Sequence, residues 1–201
     1  MSFRVAIKLG GGLITDKGSM KKFNNKAVEA VVESLYSAYE LGASIVLVHG
    51  AGSFGHLLAK EWGIADGLNI LEEQGQRAAV SEIRSDMREL NRLIMGKMAE
   101  RGLECSSHPP SDWATGTGPR FSGDVTIFER GVGEPIPVTF GDVVGTNDET
   151  EFGILSGDDL MLRLSTELEV THSIFLIGDS EGVLSGPPSE MNSELITNLH
   201  H

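Results

Sequence analysis

Cysteine is all but missing from this chain: Cys105 is the only one in 201 residues. A single thiol closes no internal disulfide and builds no multi-thiolate metal site. Basic residues are also in short supply, 16 Lys and Arg against 29 Asp and Glu, for a net charge of −13. A general nucleic-acid binder needs clustered cations along its surface, so that class is excluded. A small anionic ligand is not, because a few local cations and backbone N–H groups suffice to hold one. No apolar run approaches the roughly 18 residues of a membrane span. The first one, Phe3 to Leu9, is too short for a secretory signal and runs straight into glycines. The expectation is a cytoplasmic protein with no membrane partner. Two phosphate signatures are absent as well. There is no G-x-x-x-x-G-K-[ST], and no G-x-G-x-x-G opens a helix after the first strand. With no repeat, low-complexity tract or linker, residues 1–201 read as a single domain.

What is present alternates. FRVAIKL (Phe3–Leu9) and SIVLV (Ser44–Val48) are continuous apolar runs of the kind buried on both faces of a parallel sheet. Between them, Ala27, Val31, Leu35 and Ala38 recur at helical spacing, and Gly42 supplies a stop. Strand, helix, strand of this length is a right-handed βαβ unit. A long helix is predicted over 71–100, with Val80, Ile83, Met87, Leu90, Ile94 and Met98 along one face. PIPVTFGD reads as a strand, VVGTNDETEFGIL as a hairpin around a solvated acidic tip, and HSIFLIGD as the last strand. Ser156, three residues before Asp159, has the form of a capping box at a helix start. The stretch 111–124 has no clear assignment. The pattern is α/β: a three-layer αβα sandwich around an open, mainly parallel sheet.

Ligands in such sheets collect beyond the carboxyl ends of the strands. Three glycine-bearing turns follow strand ends here: KLGGG (Lys8–Gly12), HGAGSFGH (His49–His56) and GDSEG (Gly178–Gly182). Glycine lets the backbone approach a phosphate closely, and unpaired N–H groups favour negative charge. Lys8 ends a buried strand, a position where charge is rarely placed without a use. His49 reads as a satisfied histidine at a strand end. His108, His172, His200 and His201 show no ligand spacing. Asp142, Asp158 and Asp159 have an ordinary reading as caps and turn formers.

Taken in order, IKLGGGLITDKG, LVHGAGSFGHLLAK, VTFGDVV, FGILSGDDLM and IFLIGDSEGV resemble the amino acid kinase superfamily, and within it the archaeal-type isopentenyl phosphate kinases. The resemblance implies the amino acid kinase fold, with transfer of the ATP γ-phosphoryl group to isopentenyl phosphate and Mg²⁺ carried with the nucleotide. It implies Lys8 at the transferring group, Lys17 stabilising transition-state charge, and Gly10, Gly11 and Gly12 offering N–H groups to ATP. It sets Gly50 and Ala51 between the two sets of phosphates, and Asp179 and Gly182 near the nucleotide. His56 and Gly157 would hold the acceptor phosphate, with Gly55 leaving room for it. Ile83 and Met87 would wall the isoprenoid tail; their plain reading is core. A homodimer is the common assembly of the superfamily.

The chain departs from the family pattern in four places. Gly12 stands where Ser is frequent, Ala51 replaces the middle glycine of G-G-G, and GDSEG replaces T-D-V-D-G. If position 51 requires positive φ, the extra methyl crowds the phosphates. The fourth is a Gly-Gly-x-x-x-Lys stretch expected past Leu195, which is not found, so the C-terminal section of the fold reads as missing and the sequence as a fragment. Two other readings stand beside the first: a fosfomycin-type or other small-phosphate kinase, and a non-catalytic phosphate- or nucleotide-binding relic.

Overall fold

The computed structural model describes residues 3–16, 18–178, 182–186, 190 and 192–198. Five strands form one parallel sheet: β1 (Phe3–Leu9), β2 (Ala43–His49), β3 (Cys105–Ser107), β4 (Ile136–Phe140) and β7 (His172–Leu176), in the spatial order β3-β4-β2-β1-β7. Two short strands, β5 (Asp142–Gly145) and β6 (Phe152–Leu155), form a separate antiparallel hairpin. The helices are α1 (Gly11–Ile14), α2 (Asn25–Glu40), α3 (Gly52–Glu61), α4 (Glu73–Glu100), α5 (Pro110–Trp113) and α6 (Gly157–Glu167).

The central strands are covered on both faces, as their unbroken apolar runs require. Val5, Ile7, Leu9, Ile45, Leu47 and Val138 point to one side, where they pack with α2, α3 and α4. Ala6, Val46 and Val48 point to the other, against α6 and the aromatic segment after α5. The α4 stripe from Val80 to Met98 is buried at every position named above. On α2 the buried face is Val28, Val31, Val32 and Leu35, one position round from the expected one. Gly42 ends that helix with φ of +83°. Ser156 caps α6 reciprocally: its Oγ accepts from the Asp159 N–H (3.1 Å) and donates to Asp159 Oδ2 (2.6 Å).

Besides the single-turn α1 and two short 3-10 turns, three elements went unread in the sequence. Residues 111–124 contain all but the first residue of α5 and a bridge of Thr115 to Ser122, and they bring Trp113 against Phe121 and the neighbouring Phe128 with ring centroids 5.7 and 5.1 Å apart. Strand β3, Cys-Ser-Ser, has little strand propensity and exists because β4 pairs with it. The third is α3. The stretch expected to be a turn through His56 becomes helix at Gly52, so the histidine stands on the second turn of a helix.

Candidate active site

Two neighbouring clefts open at the carboxyl ends of β1 and β2, and Gly11 and His56 line both. The deeper, somewhat more enclosed one has a cavity volume of about 180 Å³. Lys8 and Gly157 lie at its polar end, while Ile83, Met87, Val143 and Ile154 make an apolar wall. The other runs over Gly10, Gly11, Gly12 and Gly52 toward Gly178. This is an arrangement of one apolar recess and one glycine-lined groove meeting at a histidine.

Lys8 projects from the end of β1 with its stem against the start of α6, where a Cβ on Gly157 would sit 3.2 Å from its Cε. Its Nζ lies 2.6 Å from Asp158 Oδ1 and 5.9 Å from the centre of the Phe175 ring. The Lys8 side chain is only 15% exposed, whereas Asp158 is 72% exposed, so the carboxylate is the partner that can swing away. Sequence reasoning assigned Asp158 to capping; its place beside Lys8 follows only from α6 docking on β1.

The glycines divide the work unequally. The Gly10 N–H donates to Leu176 O (2.8 Å), continuing the β1–β7 ladder. That corrects the expectation of an N–H from Gly10 for an anion. Gly11 and Gly12 open α1, and their N–H groups have no acceptor among the described residues. Gly50 also spends its N–H, on Leu9 O at 2.9 Å, and a Cβ there would come 2.8 Å from the Gly11 nitrogen. Gly50 is therefore glycine for close approach of two backbones. Ala51 has φ of −77°, so its methyl is unstrained and the feared crowding does not arise. The residue that needs the left-handed region is its neighbour Gly52, at φ +50°. At Gly55 an added Cβ would meet Met87 Sδ at 3.2 Å, so this glycine lets α3 approach the α4 wall as well as lining the cleft.

His56 is exposed, faces both clefts, and has no hydrogen-bond partner among the described residues. Ile83 and Met87 are buried yet line the deeper cleft, so core and wall are the same surface here. Gly157 is the first residue of α6, and its N–H has no acceptor among the described residues. Gly182 packs on Leu195 and lines neither cleft. Lys17 and Asp179 lie outside the described residues, as do His200 and His201.

Around position 17 the chain is tied down. Asp16 accepts from the Gly18 N–H (2.9 Å) and pairs with Lys22 (2.7 Å), and the Asp16 N–H donates to Lys22 O (2.9 Å). Lys21 reaches the buried Asp86 of α4 at 2.8 Å; that hydrogen bond raises the lysine's pKa, with burial opposing. Thr15 Oγ1 donates to Gly11 O (2.8 Å) and accepts from the Ser53 N–H (2.9 Å), locking the first glycine turn to the start of α3. The links from Lys21 to Asp86 and from Thr15 to Ser53 have no signature in the sequence, since each joins separate segments.

Two further polar groups are buried nearby. Asp142 is 2% exposed at the cleft wall, where its Oδ1 accepts from the Val143 N–H at 2.8 Å, Ser111 lies close by, and Oδ2 makes no well-formed hydrogen bond among the described residues. Burial pushes this carboxyl up, and Ser111 and the Val143 N–H pull it partly back. His49 is fully buried, stacked on Phe140 with centroids 4.9 Å apart, and burial pushes its pKa down to about 4. Both ring nitrogens have a partner, as expected: Gly50 O at 3.1 Å and the Asn91 side-chain amide at 3.3 Å. Among the described residues no three His, Cys, Asp or Glu side chains gather as a metal site.

A parallel αβα sandwich with glycine-rich turns at its strand ends and a lysine at the end of its first strand has known counterparts. The chain belongs to the amino acid kinase family, whose model matches residues 3–201. Within that family it is similar to isopentenyl phosphate kinase of Thermoplasma acidophilum, with 33% identity over 185 residues, covering 90% of this chain and 69% of the relative. Among solved structures, one described as isopentenyl phosphate kinase superposes with a TM-score of 0.87 at 28% identity, covering 96% of this chain and 79% of the other. An isopentenyl phosphate kinase substrate complex superposes with a TM-score of 0.81 at 30% identity, covering 98% of this chain and 77% of the other.

Proposed function

We propose that the protein transfers the γ-phosphoryl group of ATP to isopentenyl phosphate, forming isopentenyl diphosphate and ADP. The observation that carries this reading is the shape of the deeper cleft: an apolar recess that ends on Lys8, His56 and the N–H of Gly157. A five-carbon apolar tail with a phosphate at one end matches that division. A fosfomycin-sized phosphonate would leave the wall of Ile83, Met87, Val143 and Ile154 unused.

Phosphoryl transfer asks a protein for in-line positioning and for stabilisation of migrating charge. In this reading the tail seats against Met87 and Ile83, and His56 and the Gly157 N–H orient the acceptor phosphate. The nucleotide's phosphates lie along the second groove, on the N–H groups of Gly11 and Gly12. Lys8 stands where the two sets of oxygens meet, and Gly50 and Ala51 form the floor between them. Lys17 and Asp179 keep their family-implied roles as part of the proposal, as does the homodimer. Mg²⁺ would supply charge neutralisation on the nucleotide phosphates; of the two carboxylates that line the deeper cleft among the described residues, Asp158 is engaged by Lys8 and Asp142 is buried.

The test is turnover of the purified protein with ATP and Mg²⁺ against isopentenyl phosphate, dimethylallyl phosphate, fosfomycin and UMP, followed by ³¹P NMR. Isopentenyl diphosphate is the expected product, and preferred use of fosfomycin or UMP overturns the assignment. His56→Ala is expected to lower kcat/KM for isopentenyl phosphate by about 10- to 100-fold, the worth of one charge-assisted hydrogen bond. ADP affinity, measured by calorimetry, is expected to stay within about twofold. Equal losses toward both ligands would remove His56 from the acceptor site.

A further inference from the structure

The last residue of β2, His49, is a buried imidazole that touches neither cleft, and its contacts define what it does. One ring nitrogen, Nδ1, lies 3.1 Å from the carbonyl oxygen of Gly50. A carbonyl only accepts, so Nδ1 carries the ring proton and, in the neutral ring, Nε2 must accept. Asn91 of α4 sits between Nε2, 3.3 Å from its Oδ1, and the Ser107 hydroxyl, 2.7 Å from its Nδ2. A half-turn of that amide exchanges its two ends. It then donates to Nε2 and accepts from Ser107, giving up only the longer contact of its Nδ2 with the weak acceptor Met95 Sδ at 3.4 Å.

The consequence lies one bond further on. The Gly50 carbonyl and the Ala51 N–H belong to one planar trans peptide, in which the two point in opposite directions. Holding the carbonyl toward His49 and α4 therefore turns the Ala51 N–H away from them. This N–H has no acceptor among the described residues, and Ala51 lines the same cleft as Lys8, His56 and Gly157. The preceding His49–Gly50 peptide is held at both ends, its N–H by Leu9 O at 2.9 Å and its carbonyl by the Gly141 N–H at 3.0 Å, so the His49 contact acts on a peptide anchored from the strand side.

We propose that His49 is a positioning residue: its Nδ1–H anchors the Gly50 carbonyl and so aims the Ala51 N–H at the phosphoryl group in transfer. This rests on the kinase reading for the identity of the anion, though not for the geometry. The row from Ser107 through Asn91 sets the tautomer, which links the edge strand and α4 to the glycine turn. An N–H aimed in advance stabilises developing charge without reorganisation.

Two variants separate positioning from packing. His49→Asn keeps a donor, because the asparagine amide nitrogen overlies imidazole Nδ1; His49→Leu fills similar space without one. His49→Leu is expected to lower kcat by about 10- to 100-fold with KM for both substrates within about threefold, and His49→Asn to restore kcat to within about threefold of the parent. A leucine variant with parental kcat overturns the proposal, and so do leucine and asparagine variants impaired equally. Should either variant fail to fold, ¹⁵N-histidine NMR of the unaltered protein still decides: the Nδ1–H tautomer supports the proposal, and the Nε2–H tautomer sinks it. If the protein does not phosphorylate isopentenyl phosphate, the functional reading fails separately. The tautomer still tests this one, with the same two outcomes.

Discussion

Lys8→Met lowers kcat by about a thousandfold, in the range found where a single cation stabilises phosphoryl transfer, and leaves the fold intact. Methionine keeps the stem that packs against Gly157, where the Lys8 Cε is 3.2 Å from the place a Cβ would take. The partner left behind, Asp158, is 72% exposed and regains water freely, so no buried charge is stranded. In the proposed reaction the Lys8–Asp158 pair is a resting contact: an arriving phosphate would compete for the ammonium, and the carboxylate has solvent to move into. Single-turnover kinetics with a thermal melt are the check. A variant that keeps more than a tenth of the parental rate would take Lys8 out of the reaction.

Gly52→Ala has the second large effect, this time on folding and activity together. Gly52 sits at φ +50°, and a methyl there would lie 2.1 Å from Thr15 Oγ1 and 2.7 Å from Gly11 O. Both atoms belong to the lock between the first glycine turn and α3. The clash is with backbone and a buried hydroxyl, so nothing yields cheaply. A loss of about 3 kcal/mol or more is expected, which lowers Tm by roughly 10 °C for a chain of this size. Gly42→Ala isolates the backbone part of that cost, because Gly42 has φ of +83° and no atom within 4 Å of the added Cβ. Its loss is expected to be about 1 kcal/mol. Equal melting temperatures for the two variants would show that the Gly52 contact is not tight.

The same comparison explains why one worry drawn from the sequence dissolved. Position 51 departs from the family's glycine, but the strained conformation falls on position 52, and a residue at φ −77° accepts a methyl. The spacing Gly50-x-Gly52-x-x-Gly55 did carry a usable signal. It has the G-x-G-x-x-G form after a strand and at the start of a helix, though after the second strand of the chain rather than the first. Read that way, it forecasts α3 and puts His56 on a helix. Here the first glycine admits Gly11, the second takes positive φ, and the third admits Met87.

Other features left no trace in the chain. The Gly10 N–H is spent on Leu176, the Asp158 carboxylate rests on Lys8, and Asn91 orients His49, because segments distant in sequence meet there. Asn91 and Asp86 share the buried side of α4 with Leu90 and Met87, where an apolar period marks the face but says nothing about which polar residue on it finds a partner.

By itself, the amino-acid order determined the layers of this protein. Doubly apolar runs make β1 and β2 interior strands, a helical stripe makes α4, and Ser156 starts α6, since periodicity and capping are local properties of a chain. Only the tertiary structure decided which N–H groups and charges stay free for an anion. That depends on what each group has already bonded across the fold, a choice made when strands pair and helices dock.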